Sequence, residues 1–233
     1  VAAHNLLLAH AAVVRLYREE FQPRFGGSIG ITINTNYYMP KREDSEADRA
    51  AAERAVLFMF GWFAHPVVYG DYPEVMRERV GDRLPAFTAE QSEALKGSAD
   101  FLGVNAYTTM LAEDTSSEAE HKIGYFDHDR AIAETADPAW PQGSVSWFYK
   151  VPEGFRGLLA LLGRTYPGMP LIVTENGAAA PGEDDPSVPL AQRLDDTWRV
   201  DYLNRYLTKA KEAIELDGVN LKGYFVWSLL DNL

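Results

Sequence analysis

The chain has 233 residues, 46% hydrophobic and 24% charged, which is ordinary globular composition with enough length for a substantial core. Its formal charge, 22 − 34 = −12, gives an acidic surface that speaks against nucleic acid and anionic membranes as partners and leaves a neutral ligand such as a sugar open. There is no cysteine, so disulfides and cysteine-based metal sites are excluded. No apolar run approaches a membrane span and no basic-then-apolar leader opens the chain, so the location is unassigned, with the cytoplasm as default.

Asn5 to Phe21 reads as an amphipathic helix, with Leu6, Leu7, Ala11, Val14 and Tyr17 at helical spacing and Gly26-Gly27 after it. The β-branched run Ser28 to Ile33 is the first strand. A polar loop opens at Met39-Pro40. Ser45 to Phe63 is a second helix, with Ser45 as its cap and acidic residues in its first turn. A segment punctuated by Pro66, Pro73 and Pro85 follows, then a helix from Thr88 to Leu95 and a strand from Phe101 to Asn105. Residues 109–150 read as a long polar region, functional or disordered, with an acidic stretch from Glu113 to Glu120. A helix over Pro152 to Arg164 leads to a strand at Leu171. Pro181 to Pro189 is an acidic loop. A long helix from Leu194 to Leu216, closed by Asp217-Gly218, precedes a last strand from Gly223 to Trp227. Strands alternating with helices imply a parallel sheet with right-handed crossovers, and the count is four strands. No internal repeat or domain linker interrupts the chain, which reads as a single domain over 1–233.

The richest stretch is Leu171-Ile172-Val173-Thr174-Glu175-Asn176-Gly177. A buried strand delivers a carboxylate to its C-terminal end, and an Asn-Gly turn follows. In α/β barrels that end of the strand carries the chemistry. Two other strands have similar ends: Asp100 to Thr108, with Asn105 and Tyr107, and Gly223 to Asn232, with Trp227.

Together these segments resemble glycoside hydrolase family 1, the β-glucosidase family, whose members carry F-x-G-x-N-x-Y-T, T-E-N-G and W-S-L-L-D-N motifs in that order. His4 to Ala11, Gly70 to Pro73, Val151 to Phe155 and Val200 to Leu203 are also family-like, so the resemblance runs along nearly the whole chain. It implies an α/β fold, a partial (β/α)8 barrel of about four parallel strands, corresponding to strands five to eight of the family barrel, with outer helices. It implies hydrolysis of O-glycosidic bonds in β-glucosides or β-galactosides with retention. Glu175 is the implied nucleophile and Tyr107 the group that orients it. Asn105 is implied to lie beside the catalytic carboxyls, Trp227 in the glucose-binding floor, and Trp147 in the aglycone site. The form Trp227-Ser228-Leu229-Leu230 is similar to the ordinary glucosidase branch rather than the 6-phospho branch. A cis peptide at Trp227-Ser228 is a further family expectation.

Read without the resemblance, Tyr107 and Trp227 suit a core better than a site, and Trp147 suits an exposed loop. Ser146 replaces the family's usual glycine and Ala106 a common aromatic. The family's general acid/base motif, Asn-Glu-Pro, does not occur in the sequence, and Leu233 stands where an aromatic is usual. The chain is therefore expected to be the second half of a β-glucosidase, carrying the nucleophile without the acid/base and inactive in isolation. The other reading is a non-catalytic saccharide-binding or structural half-barrel that needs a partner half. An open barrel face predicts self-association. Neither metal nor dinucleotide cofactor is signalled: His4 and His10 are six apart on a helix, His121 and His128 lack ligand-spaced partners, and no G-x-G-x-x-G or G-x-S-x-G occurs.

Overall fold

The computed structural model describes residues 1–116 and 126–230. His121, the acidic run Ser117 to Glu120 and the closing Asp231-Asn232-Leu233 lie outside them. The described residues form two compact units: Val1–Asn34, Pro40–Gly103 and Ala112–Ala133 in unit 1, and Thr35–Met39, Val104–Leu111 and Glu134–Leu233 in unit 2.

Unit 1 is mainly helical. α1 (Ala2–Leu16) buries Leu7, Ala11 and Val14, then widens through a π-turn at Tyr17–Phe21 into α2 (Gln22–Phe25). β1 (Gly30–Asn34) follows. α3 (Glu46–Val56) starts as expected, the Ser45 hydroxyl accepting from the Asp48 amide at 3.2 Å. A second π-turn, Leu57–Gly61, joins it to α4 (Trp62–Tyr69). α5 (Glu74–Val80) was not expected from the sequence. Pro73 precedes it directly, and a proline there starts a helix rather than breaking one. α6 (Ala89–Leu95) has a full capping box between Thr88 and Gln91. Leu7, Phe58, Val67, Met76 and Leu95 share one buried cluster.

His65 on α4 is half-buried, and desolvation pushes its pKa down to about 4. A folded pKa below the unfolded value of about 6.5 means that the unfolded chain binds the extra proton first. Its contribution is therefore complete above pH 6.5 and is lost as pH falls from 6.5 towards 4. We expect wild type to lose about 2 kcal/mol more than His65→Gln between pH 7 and pH 5 in urea unfolding. Equal losses in both proteins would remove His65 as the cause.

In unit 2, α8 (Pro152–Thr165), β6 (Leu171–Asn176), the short α9 (Leu190–Arg193), α10 (Thr197–Asp217) and β7 (Leu221–Val226) follow in order. β6 and β7 pair in parallel. Leu158, Leu162, Leu171, Val173, Tyr202, Tyr206 and Ala213 are buried. α10 ends where Gly218 adopts φ +68°, a left-handed turn that glycine makes without strain.

Strands β1, β3 (Phe101–Asn105), β6 and β7 follow one another in a four-stranded sheet, so the four strands read from the sequence are all present. The count was nonetheless short. β2 (Tyr37–Pro40), β4 (Thr109–Asp114) and β5 (Ile132–Thr135) form a second sheet, and α7 (Phe126–Arg130) precedes β5. The polar region from 109 therefore contains regular structure. β5 has only four residues, and burial along β4 does not alternate, so the period-two signal is missing. Among the described residues, no helix is long and apolar enough to cross a membrane.

Candidate active site

Four of the five sequence-predicted site residues, Asn105, Tyr107, Trp147 and Glu175, are brought together by side-chain contacts in unit 2, and the fifth, Trp227, stands just past the end of β7. β3 ends at Asn105 and leads to Tyr107, β6 ends at Glu175-Asn176, and β7 leads to Trp227. The Tyr107 hydroxyl donates to Glu175 Oε2. Thr174 Oγ1 donates to Asn105 Oδ1 at 2.6 Å. The Ala106 amide donates to the Glu175 carbonyl at 3.1 Å. The Trp147 ring meets the Tyr107 ring edge-on, with centroids 6.3 Å apart. Trp227 is tied to β6 through its amide, which donates to the Asn176 carbonyl at 2.9 Å.

The direction of Glu175 follows from how β6 pairs. Val173 lies opposite Tyr224 and Asn176 opposite Val226, so three steps along β6 match two along β7. Simple alternation from Leu171 and Val173 would bury Glu175 beside them. The extra residue instead leaves Leu171, Val173 and Asn176 buried, with Thr174 and Glu175 half-buried. The carboxylate is thus turned out of the core while its neighbour is turned in.

Burial, with the Glu175 hydrogen bond second, raises the Tyr107 pKa above the ordinary phenol value. The hydroxyl therefore stays protonated and acts as a donor to Glu175, fixing one oxygen and leaving Oε1 free to point elsewhere. Trp147 and Trp227 are 54% and 44% exposed, so both present apolar ring surface at the strand ends rather than filling the core. The Trp227–Ser228 peptide is cis.

Asn176 was read from the sequence only as half of a turn, and the structure gives it a larger part. It is fully buried. Its Nδ2 donates to the Ala106 carbonyl at 2.7 Å and to the Tyr202 hydroxyl at 2.8 Å, while the Tyr224 hydroxyl donates to its Oδ1. One side chain therefore ties the segment before Tyr107 to α10 and β7. The adjacent Gly177 allows a close approach, because a Cβ there would collide with the Trp227 carbonyl oxygen. A buried asparagine needs such partners, but only the fold shows which they are. Among the described residues, no group of three His, Asp or Glu side chains is placed to hold a metal ion.

The sequence profile of glycosyl hydrolase family 1 matches residues 1–233. The chain is 42% identical over 235 residues to β-glucosidase 17 of Arabidopsis thaliana, covering 100% of itself and 45% of that protein. It is similar to the family 1 β-glucosidase of the fungus Humicola insolens, solved with glucose, at TM-score 0.91 and 39% identity, covering 99% of this chain and 48% of that one. It is also similar to a mutant rice β-glucosidase, Os3BGlu6, solved in a covalent complex with Glc, at TM-score 0.92 and 36% identity, with 99% and 48% coverage. The chain thus spans about half the length of the relatives it matches.

Proposed function

The chain belongs to glycosyl hydrolase family 1, and from that premise we propose that it supplies the nucleophile half of a retaining β-glucosidase. The observation that carries this reading is the Tyr107–Glu175 hydrogen bond at the ends of β3 and β6, with Asn105 and Trp147 in the same constellation and Trp227 at the end of the paired β7. A retaining hydrolase needs one carboxylate to attack the anomeric carbon as the bond to the leaving oxygen breaks, and a second carboxyl to protonate that oxygen. Glu175 is the attacking group, through the oxygen that Tyr107 does not hold. The resulting glucosyl ester is released by water, which restores the carboxylate. The rice relative, solved in a covalent complex with Glc, supports such an intermediate. Trp147 and Trp227 offer apolar planes to the C–H faces of the aglycone and the glucose.

The proton donor is not supplied by an Asn-Glu-Pro motif within these 233 residues. The 233-residue chain alone is therefore expected to turn over cellobiose negligibly and to retain its residual activity on aryl glucosides, whose leaving groups need the proton least. Steady-state assays of the purified chain test this. Cellobiose turnover of order 10 per second would place the donor elsewhere in the chain. Saccharide binding without reaction, even with an activated aryl glucoside, would favour a non-catalytic half-barrel.

We further propose that 1–233 forms one part of a (β/α)8 barrel. β1 and β7 stand at the two ends of the sheet order, and an edge strand invites pairing. On β7 and just past it the chain is apolar and open: Phe225 in the strand is 61% exposed, and Leu229 and Leu230 beyond it are 95% and 79% exposed. Analytical ultracentrifugation of the purified chain should show concentration-dependent association. A stable monomer across the range would overturn this part of the reading.

A further inference from the structure

Away from Glu175, unit 2 holds a groove of about 350 Å³ lined in part by Trp140, Pro141, Lys150, Glu153, Asp201 and Arg205. That volume is at the small end of ligand sites. Its charges cancel, two cations against two carboxylates. Lys150 Nζ donates to Asp201 at 2.9 Å, and Arg205 Nε lies 2.9 Å from each oxygen of the same carboxylate. Lys150 also sits 4.3 Å above the Trp198 ring, and only 10% of its side chain is exposed. The Lys150 and Arg205 bonds lower the Asp201 pKa, so the group remains a charged acceptor.

This chemistry suits one ligand class. A free anion meets Asp201 and Glu153, and a free cation meets Lys150 and Arg205, so neither gains net attraction. An uncharged polyhydroxylated ring can donate to the carboxylates and accept from Arg205, and it can lay its C–H face on Trp140 and Pro141. The groove wall is also built in advance. The Trp140 amide donates to the Asp137 carbonyl at 3.0 Å, and its ring packs 6.3 Å from Tyr149. The Lys150 amide donates to the Pro141 carbonyl at 2.8 Å, closing a hairpin whose far part carries Trp147. We propose that this groove is a second saccharide-binding site, taking a neutral oligosaccharide at a place other than the Glu175 constellation.

The five tryptophans make the test direct. The 233-residue chain is labelled with 5-fluorotryptophan, and its fluorine signals are followed while cellobiose is added to millimolar concentration. Trp140→Ala identifies the Trp140 signal. We expect that signal to shift saturably, to do so equally in Trp227→Ala, and to lose the shift in Asp201→Asn, whose remaining signals report an intact fold. Arg205→Gln serves as a second variant with the same expected loss. An unresponsive Trp140, a shift reproduced by inorganic phosphate in place of cellobiose, or a shift that disappears in Trp227→Ala would each overturn the proposal. Movement of Trp147 and Trp227 without Trp140 would remove the groove site and leave the Glu175 reading intact.

Discussion

Replacing Glu175 by Gln should abolish covalent labelling by an activated 2-deoxy-2-fluoroglucoside. In any family 1 enzyme built to contain these 233 residues together with the missing acid/base, it should lower kcat on the order of 10⁴-fold or more, as removal of other covalent nucleophiles does. A glutamine keeps the shape of the side chain and its bond to Tyr107 but cannot form the ester. Binding should persist, so the loss falls on kcat rather than KM. The fluorinated sugar suits the 233-residue chain because its dinitrophenolate leaving group departs without a proton. Peptide mass spectrometry should place the adduct on the peptide containing Glu175. An adduct on any other carboxylate would overturn the assignment.

The second large effect is expected at Asn176, and it is one of stability. Asn176→Leu removes the donor to the Ala106 carbonyl and the acceptor of the Tyr224 hydroxyl inside a fully buried site. The Tyr202 hydroxyl also loses its bond but keeps Tyr206 as a neighbour. At about 1–3 kcal/mol for each buried group left unpaired, the loss should be roughly 3–5 kcal/mol. That is a large part of a typical domain's stability. Urea unfolding measures it, and pairing the change with Tyr224→Phe should recover part of the loss because the orphaned hydroxyl is removed too. A loss below about 1 kcal/mol would mean that the site relaxes around the substitution. Asn176→Asp should be no milder, because it retains the acceptor, loses both donated bonds and buries a carboxyl.

The sequence made the long elements legible because their patterns are local. The run Leu171-Ile172-Val173 marks β6, and the apolar spacing from Phe155 to Leu162 marks α8. The capping signal at Ser45 sits where its helix begins. Glu175, Tyr107, Asn105, Trp147 and Trp227 were legible through motifs, and the structure gathers Tyr107, Glu175, Asn105 and Trp147 by contact while pairing β6 with the strand that ends before Trp227. What escaped depends on a second segment. The register slip that turns Glu175 outward is a property of β6 paired with β7, so neither strand shows it alone. β5 is too short to announce itself, and β4 lacks the alternating burial that would mark a strand. The Asn176 partners Tyr202 and Tyr224 look like ordinary aromatic spacers in a helix and a strand until the chain is folded.

Three of the bonds that build the site share one trait. Tyr107–Glu175, Asn105–Thr174 and Ala106–Asn176 join residues 68, 69 and 70 positions apart. Closing a flexible loop of that size costs about 4 kcal/mol in chain entropy, whereas one hydrogen bond returns about 1 kcal/mol net. No single bond of the three can form first and persist. The cost is met once, and all three share it together with the apolar packing of unit 2. The constellation is therefore expected to form as a unit: the carboxylate, its orienting phenol and the buried amide should gain their places together, after the helices whose contacts are local.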